Sequence, residues 1–160
     1  MKKATSLTRA AAYRRCVIDP KNQLTLQQLV ATALGQLRAS EDRTEPLDAQ
    51  STSVRVIGKH KVINGALCGY LSMWERGRSQ PVITDDPKAQ SLALGVVAPP
   101  AASGGRRKEF IPGVLYFAVL GNHVAMMQNA TIRGASLESH FAWLLKSKSA
   151  LLDATTKLLL

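Results

Sequence analysis

A chain of 160 residues that is 46% hydrophobic and 20% charged has the make-up of one folded domain, which excludes a disordered polyelectrolyte. Its longest apolar run, Gly113 to Gly121, falls far short of the roughly 20 residues that span a bilayer, so no membrane segment is expected. Twenty-one Lys and Arg against eleven Asp and Glu leave a net charge of +10, a field that attracts polyanions and makes their binding salt-sensitive.

The N-terminal stretch MKKATSLTRAAAYRRC is basic but has no apolar core before Arg9, which argues against a secretory signal. Residues 1–10 read as a basic flexible arm and residues 11–160 as a single α+β domain. Ala11 to Ile18 has strand character and stops at the Asp19-Pro20 turn signal. Thr25 and Gln28 form a T-x-x-Q capping box, and Leu26, Leu29, Val30, Ala33, Leu34 and Leu37 follow at helical spacing, predicting a helix over about 26–38. Ser40 to Ser53 is polar and acidic and reads as a loop.

Val54 to Ile63 and Ala66 to Trp74 flank Asn64-Gly65, a two-residue hairpin signal. Arg76 to Gln90 is turn-rich and expected to be irregular. Leu92 to Ala98 reads as a strand closed by Pro99-Pro100, and Ala101 to Glu109 as a flexible basic linker. The apolar run Val114 to Leu120 suggests a strand covered on both faces, with His123 to Ala130 returning after the Gly121-Asn122 turn. Ser136 is expected to cap a closing helix over about 137–152. The order predicts an antiparallel sheet with two main helices packed on one side.

The chain ends on Leu158-Leu159-Leu160. Such a triplet either packs back on the sheet or docks on a partner. With Leu151 and Leu152 it makes an apolar patch, and docking on a second copy or a larger complex is the expectation.

Catalytic and metal motifs are sparse. His60, His123 and His140 pair with no Cys or carboxylate at metal-ligand spacing, and neither a phosphate-binding GxxxxGK[ST] loop nor a GxGxxG occurs, so no cofactor is expected. His60 and His123 read as solvated positions. The R-x6-H pattern of Arg133 and His140 resembles that of helical nucleotidyltransferase-like RNases, which are all-helical. The resemblance implies a pair that stabilises and protonates a scissile phosphate, and Glu75 with Asp85-Asp86 could hold a divalent ion. Both would make a cryptic nuclease. Loop solvation explains the acidic residues better. Cys16 and Cys68 have no CxxC spacing and read as reduced thiols of a cytoplasmic protein.

Basic clusters carry more information. Arg55, Lys59 and Lys61 alternate along one predicted strand and would project from one sheet face. Arg106, Arg107 and Lys108 form a basic loop, and Arg14 and Arg15 add an N-terminal cluster. These eight residues are the candidate nucleic-acid contacts, made mainly to phosphates, with DNA the expected partner. The aromatic residues do not interleave the basic runs in sequence, which weighs against base stacking.

The Leu26–Leu37 stripe, the hairpin VINGALCGYL (Val62 to Leu71), and IPGVLYFAVLGNHVAMMQ (Ile111 to Gln128) followed by SLESHFAWLL (Ser136 to Leu145) together carry a resemblance. Over about residues 13–150 this order resembles the N-terminal half of the lambda Rex exclusion protein A and similar prophage-encoded proteins, whose chains are considerably longer. The resemblance implies a DNA-associated role in phage–host conflict and carries no site residue across. The resulting expectation is a basic, non-enzymatic, nucleic-acid-associated module. An adaptor or inhibitor subunit and a cryptic nuclease are the alternatives.

Overall fold

The computed structural model describes residues 11–84 and 93–160. Strands β1 (Ala11–Arg15) and β2 (Val17–Asp19) precede helix α1 (Leu26–Gln36). Then come β3 (Thr44–Pro46), β4 (Ser53–Ile63), β5 (Ala66–Glu75), β6 (Gln80–Thr84), β7 (Ala93–Val97), β8 (Gly113–Leu120) and β9 (His123–Met127). Helix α2 (Gly134–Trp143) runs into a π-helical turn at Leu144–Lys148, and β10 (Lys157–Leu159) follows. Six strands form one antiparallel sheet in the order β1-β9-β8-β5-β4-β3, while β10 pairs with β2 and β6 with β7. This is an α+β fold.

Helix α1 starts as its sequence dictates. The Thr25 hydroxyl accepts from the Gln28 amide N–H, and the Gln28 side chain accepts from the Thr25 N–H at 2.9 Å, which satisfies two end donors at once. Leu26, Leu29, Val30, Ala33 and Leu34 are buried, each large side chain worth about 2 kcal/mol. Thr25→Ala is expected to cost about 1 kcal/mol in urea unfolding, and an unchanged midpoint would contradict the capping role.

The start of α1 is also tied to the hairpin turns. Leu26 N–H donates to Asn122 Oδ1 at 2.7 Å, and the Gln27 side chain donates to Gly65 O at 2.6 Å. Asn64 and Gly65 both hold positive φ, the conformation that made this dipeptide a turn signal.

One sheet face packs on the helices. Leu67, Leu71, Leu115, Phe117, Val119, Val124 and Met126 meet α1 and α2 in a single core, where Phe117 and Phe141 pack edge to face at 5.5 Å. Free Cys16 is buried there. Burial first, and then the Glu138 charge, push its thiol up to about 11, so it is held protonated.

Several expectations need correction. Residues 80–84 form a strand with 93–97, not irregular chain, and Leu94 and Val96 of that ribbon are 80% and 71% exposed. The acidic stretch Ser40 to Ser53 is not merely a loop: it holds a 3-10 turn at Glu41–Arg43 and strand β3, with Arg43 and Glu45 buried. Strand β8 is covered on one face only, and Tyr116 on the other is 44% exposed.

Helix α2 is not capped by Ser136. Arg133 stands at its N-cap without a side-chain bond, and Gln128 Oε1 accepts from Gly134 N–H at 3.0 Å instead. The closing helix ends at Lys148, short of 152.

The leucine tail is intramolecular. β10 pairs with β2, Leu152 and Leu158 are buried in the chain's own core, and Leu151 and Leu160 pack against it. Only Leu159 faces out, so the expected partner-docking patch is not there. Pairing with β2 gives the tail's backbone a ladder that the leucine spacing alone could not reveal. The arm at residues 1–10 lies outside the described residues.

Candidate nucleic-acid interface

Among the described residues, no helix packs on the second face of the six-stranded sheet. Antiparallel register sorts its side chains into cross-strand rows. Ala11, Met127, Tyr116 and Tyr70 make one row, and Tyr13, Ala125, Ala118, Cys68 and Lys61 the next. Arg15, His123 and Leu120 make a third. The small residues Ala125, Ala118 and Cys68 of the middle row leave a trough, and Met127, Tyr116 and Tyr70 of the first row form one wall of it. The result is an open groove of about 780 Å³.

All three tyrosines of the chain lie on this face. Tyr70 and Tyr116 meet edge to face with centroids 6.2 Å apart. Tyr13, 60% exposed, stacks on His123 at 5.8 Å, and its hydroxyl hydrogen-bonds His123 Nδ1.

Strand β4 bends where it borders the groove. Between Ile57 and His60 the register slips, so that Gly58 and Lys59 together oppose Tyr70. A Cβ on Gly58 would lie 2.3 Å from the Tyr70 ring, so only glycine lets that ring lie over the bulge.

The bulge also overturns the expected basic stripe. Arg55 opposes Met73 and faces the helices, whereas Lys61, past the bulge, opposes Cys68 on the open face. Arg55 is buried and pairs bidentately with Glu45 at 2.6 and 2.8 Å, which removes it from the candidate contacts. Lys59 and Lys61 line the groove, and Arg15 is exposed on the same face.

The remaining candidates are scattered. Arg14 lines a separate cleft of about 310 Å³ with Arg133, Gln128 and Glu138. Arg106, Arg107 and Lys108 are exposed on the β7–β8 connection, where Ser103 and Arg106 bridge, and none of them lines the groove.

The Arg133–His140 pair does not assemble. His140 is fully buried and bonds Glu45 through Nδ1 at 2.8 Å, while Arg133 is exposed at the start of α2. Asp85 and Asp86 lie outside the described residues. Among those residues no group of three or more His, Cys, Asp or Glu is placed to hold a metal, and no helix is long and apolar enough to cross a membrane.

Comparison adds no relative. A scan against protein-family models found no match, and searches of curated proteins and of solved structures found none either.

Sequence reasoning missed Tyr13, Tyr70, Tyr116, His123 and Arg43 because their proximity is across strands. The signal was available in part. The two tight turns fix the β4–β5 and β8–β9 registers, and those registers align alternate residues of each hairpin.

Proposed function

We propose that this protein binds nucleic acid by laying an unpaired strand across the open sheet face. The observation that supports this most is the tyrosine-walled groove with lysines at one end, on a chain of net charge +10. Exposed Tyr116 and half-buried Tyr70 offer stacking surfaces that accept any base, and Lys59, Lys61 and Arg15 carry charge for the backbone. A shallow face with a trough of alanines suits splayed bases better than a duplex groove. The resemblance to prophage exclusion proteins fits a DNA strand as the partner.

Fluorescence anisotropy with labelled oligothymidylate and oligouridylate tests this. Tyr70→Ala and Tyr116→Ala should each weaken binding by about 1–3 kcal/mol, and Tyr116→Ala, whose ring is exposed, should do so with unchanged melting temperature. Wild-type protein that binds neither strand at low salt, or a double variant that binds as well as wild type, removes the reading.

A second reading has one specific observation behind it. The β6–β7 ribbon exposes Ile83, Leu94, Val96 and Val97, and a lone two-stranded ribbon is marginal in water, so an adaptor role would place a protein there. Co-purification insensitive to salt and nuclease, and lost on Leu94→Asp with Val96→Asp, would favour it.

A further inference from the structure

Arg43 is a buried cation without an anion. It is 9% exposed, its Nε has no hydrogen-bond partner, and it forms no ion pair among the described residues. Its nearby carboxylates do not serve it. Glu45 is engaged by Arg55 and His140, and Glu41 and Asp42 are exposed to solvent. Among the described residues the one side-chain hydrogen bond of Arg43 is a long one, from Nη1 to His60 Nδ1 at 3.4 Å. A guanidinium stays charged at any ordinary pH, so burying it uncompensated is costly unless a ligand supplies the counter-charge.

Arg43, Lys59, His60 and Lys61 together line one end of the groove whose middle holds Tyr70 and Tyr116. Burial, and then the Arg43 charge, hold the His60 imidazole below its ordinary value, so the ring is kept neutral and brings no charge to offset Arg43. The groove volume of about 780 Å³ suits a nucleotide-sized guest.

We propose that Arg43, flanked by Lys59, His60 and Lys61, is a phosphate-binding subsite that sets the register of a nucleotide whose base lies against Tyr70 and Tyr116. This rests on the strand-binding reading for the source of the phosphate but not for its chemistry. The planar fork of Arg43 matches two phosphate oxygens, and the lysines supply mobile point charges. The phosphate is a terminal monoester or an internal diester, and the probes separate these.

The test uses the full chain, wild type, Arg43→Gln and Arg43→Lys, with 5′-phosphorylated and 5′-hydroxyl oligothymidylate, thymidine 5′-monophosphate and inorganic phosphate. Arg43→Gln should bind the oligonucleotide about tenfold or more weakly and lose about one unit of log–log salt slope. Its melting temperature should hold or rise, because an uncompensated buried charge has been removed. Arg43→Lys, which keeps the charge without the fork, should fall between. Loss confined to the 5′-phosphorylated strand assigns a terminal monoester, and equal loss on both strands an internal diester.

Arg43→Gln binding the strand like wild type would overturn the subsite while leaving strand binding intact. Should wild type bind no strand, a rise in its melting temperature with thymidine 5′-monophosphate or phosphate that is absent in Arg43→Gln would keep the subsite and discard the strand. No response to any probe overturns both.

Discussion

Glu45→Ala should lower the unfolding free energy by about 3–5 kcal/mol, the largest effect expected of any single change on β3. The carboxylate receives two bonds from Arg55 and one from His140, so it joins β3, β4 and α2. Its loss would strand the Arg55 guanidinium, whose side chain is only 10% exposed. The charge left behind, more than the bonds lost, sets the magnitude. The double variant Glu45→Leu with Arg55→Met should therefore unfold at higher urea than Glu45→Ala alone. A single variant within 1 kcal/mol of wild type would show that the cluster is not structural.

The same cluster makes stability fall in acid. Burial alone would raise the Glu45 carboxyl, but the hydrogen bonds from His140 and Arg55 and the Arg55 charge hold it below its ordinary 4.5. Burial, opposed by Glu45, holds His140 below 6.5, so its ring is neutral and donates from Nδ1 to the carboxylate. Below about pH 6.5 the unfolded chain takes up a histidine proton that the folded chain refuses, and stability drops as pH falls. Below 4.5 the unfolded carboxyl protonates first, and the Glu45 contribution is lost as pH descends through the folded value. His140→Gln keeps a donor without the titration and should flatten the upper part of this decline in urea midpoints measured from pH 7 to 5. A profile as steep as wild type would exclude His140 as its source.

Leu158→Ala should cost about 2–4 kcal/mol, and Leu159→Ala next to nothing. Leu158 is 6% exposed in the core beside β2, while Leu159 is 53% exposed one residue on. The contrast separates burial from any general effect of shortening leucines at this end. Light scattering should give one mass for wild type and both variants. A change of mass in Leu159→Ala would restore the intermolecular docking that the sequence suggests.

Legibility followed locality. The Thr25–Gln28 box and the Asn64-Gly65 turn were readable because each is settled within four residues of backbone chemistry. Arg55 was misassigned because alternation assumes an unbroken ladder, and nothing local announces the slip after Ile57. Glu45 was hidden in a polar stretch because its partners are 10 and 95 residues away. The groove escaped for the same reason: Tyr13, Tyr70 and Tyr116 become neighbours only through pairing.

The slip in β4 has an evolutionary reading. Since Gly58 and Lys59 share one opposing residue, one of them is a spare. Deleting Lys59 would leave Arg55 opposite Met73 and Lys61 opposite Cys68, so inside and outside keep their places on both halves of the strand. Deleting a residue from the middle of either half, away from Gly58 and Lys59, would shift the register of that half by one and drive a lysine or a valine through to the wrong side. The bulge is thus the one interior position where the strand can change length without changing its meaning. The half that carries Glu45's partner and the half that borders the groove can drift separately under mutation.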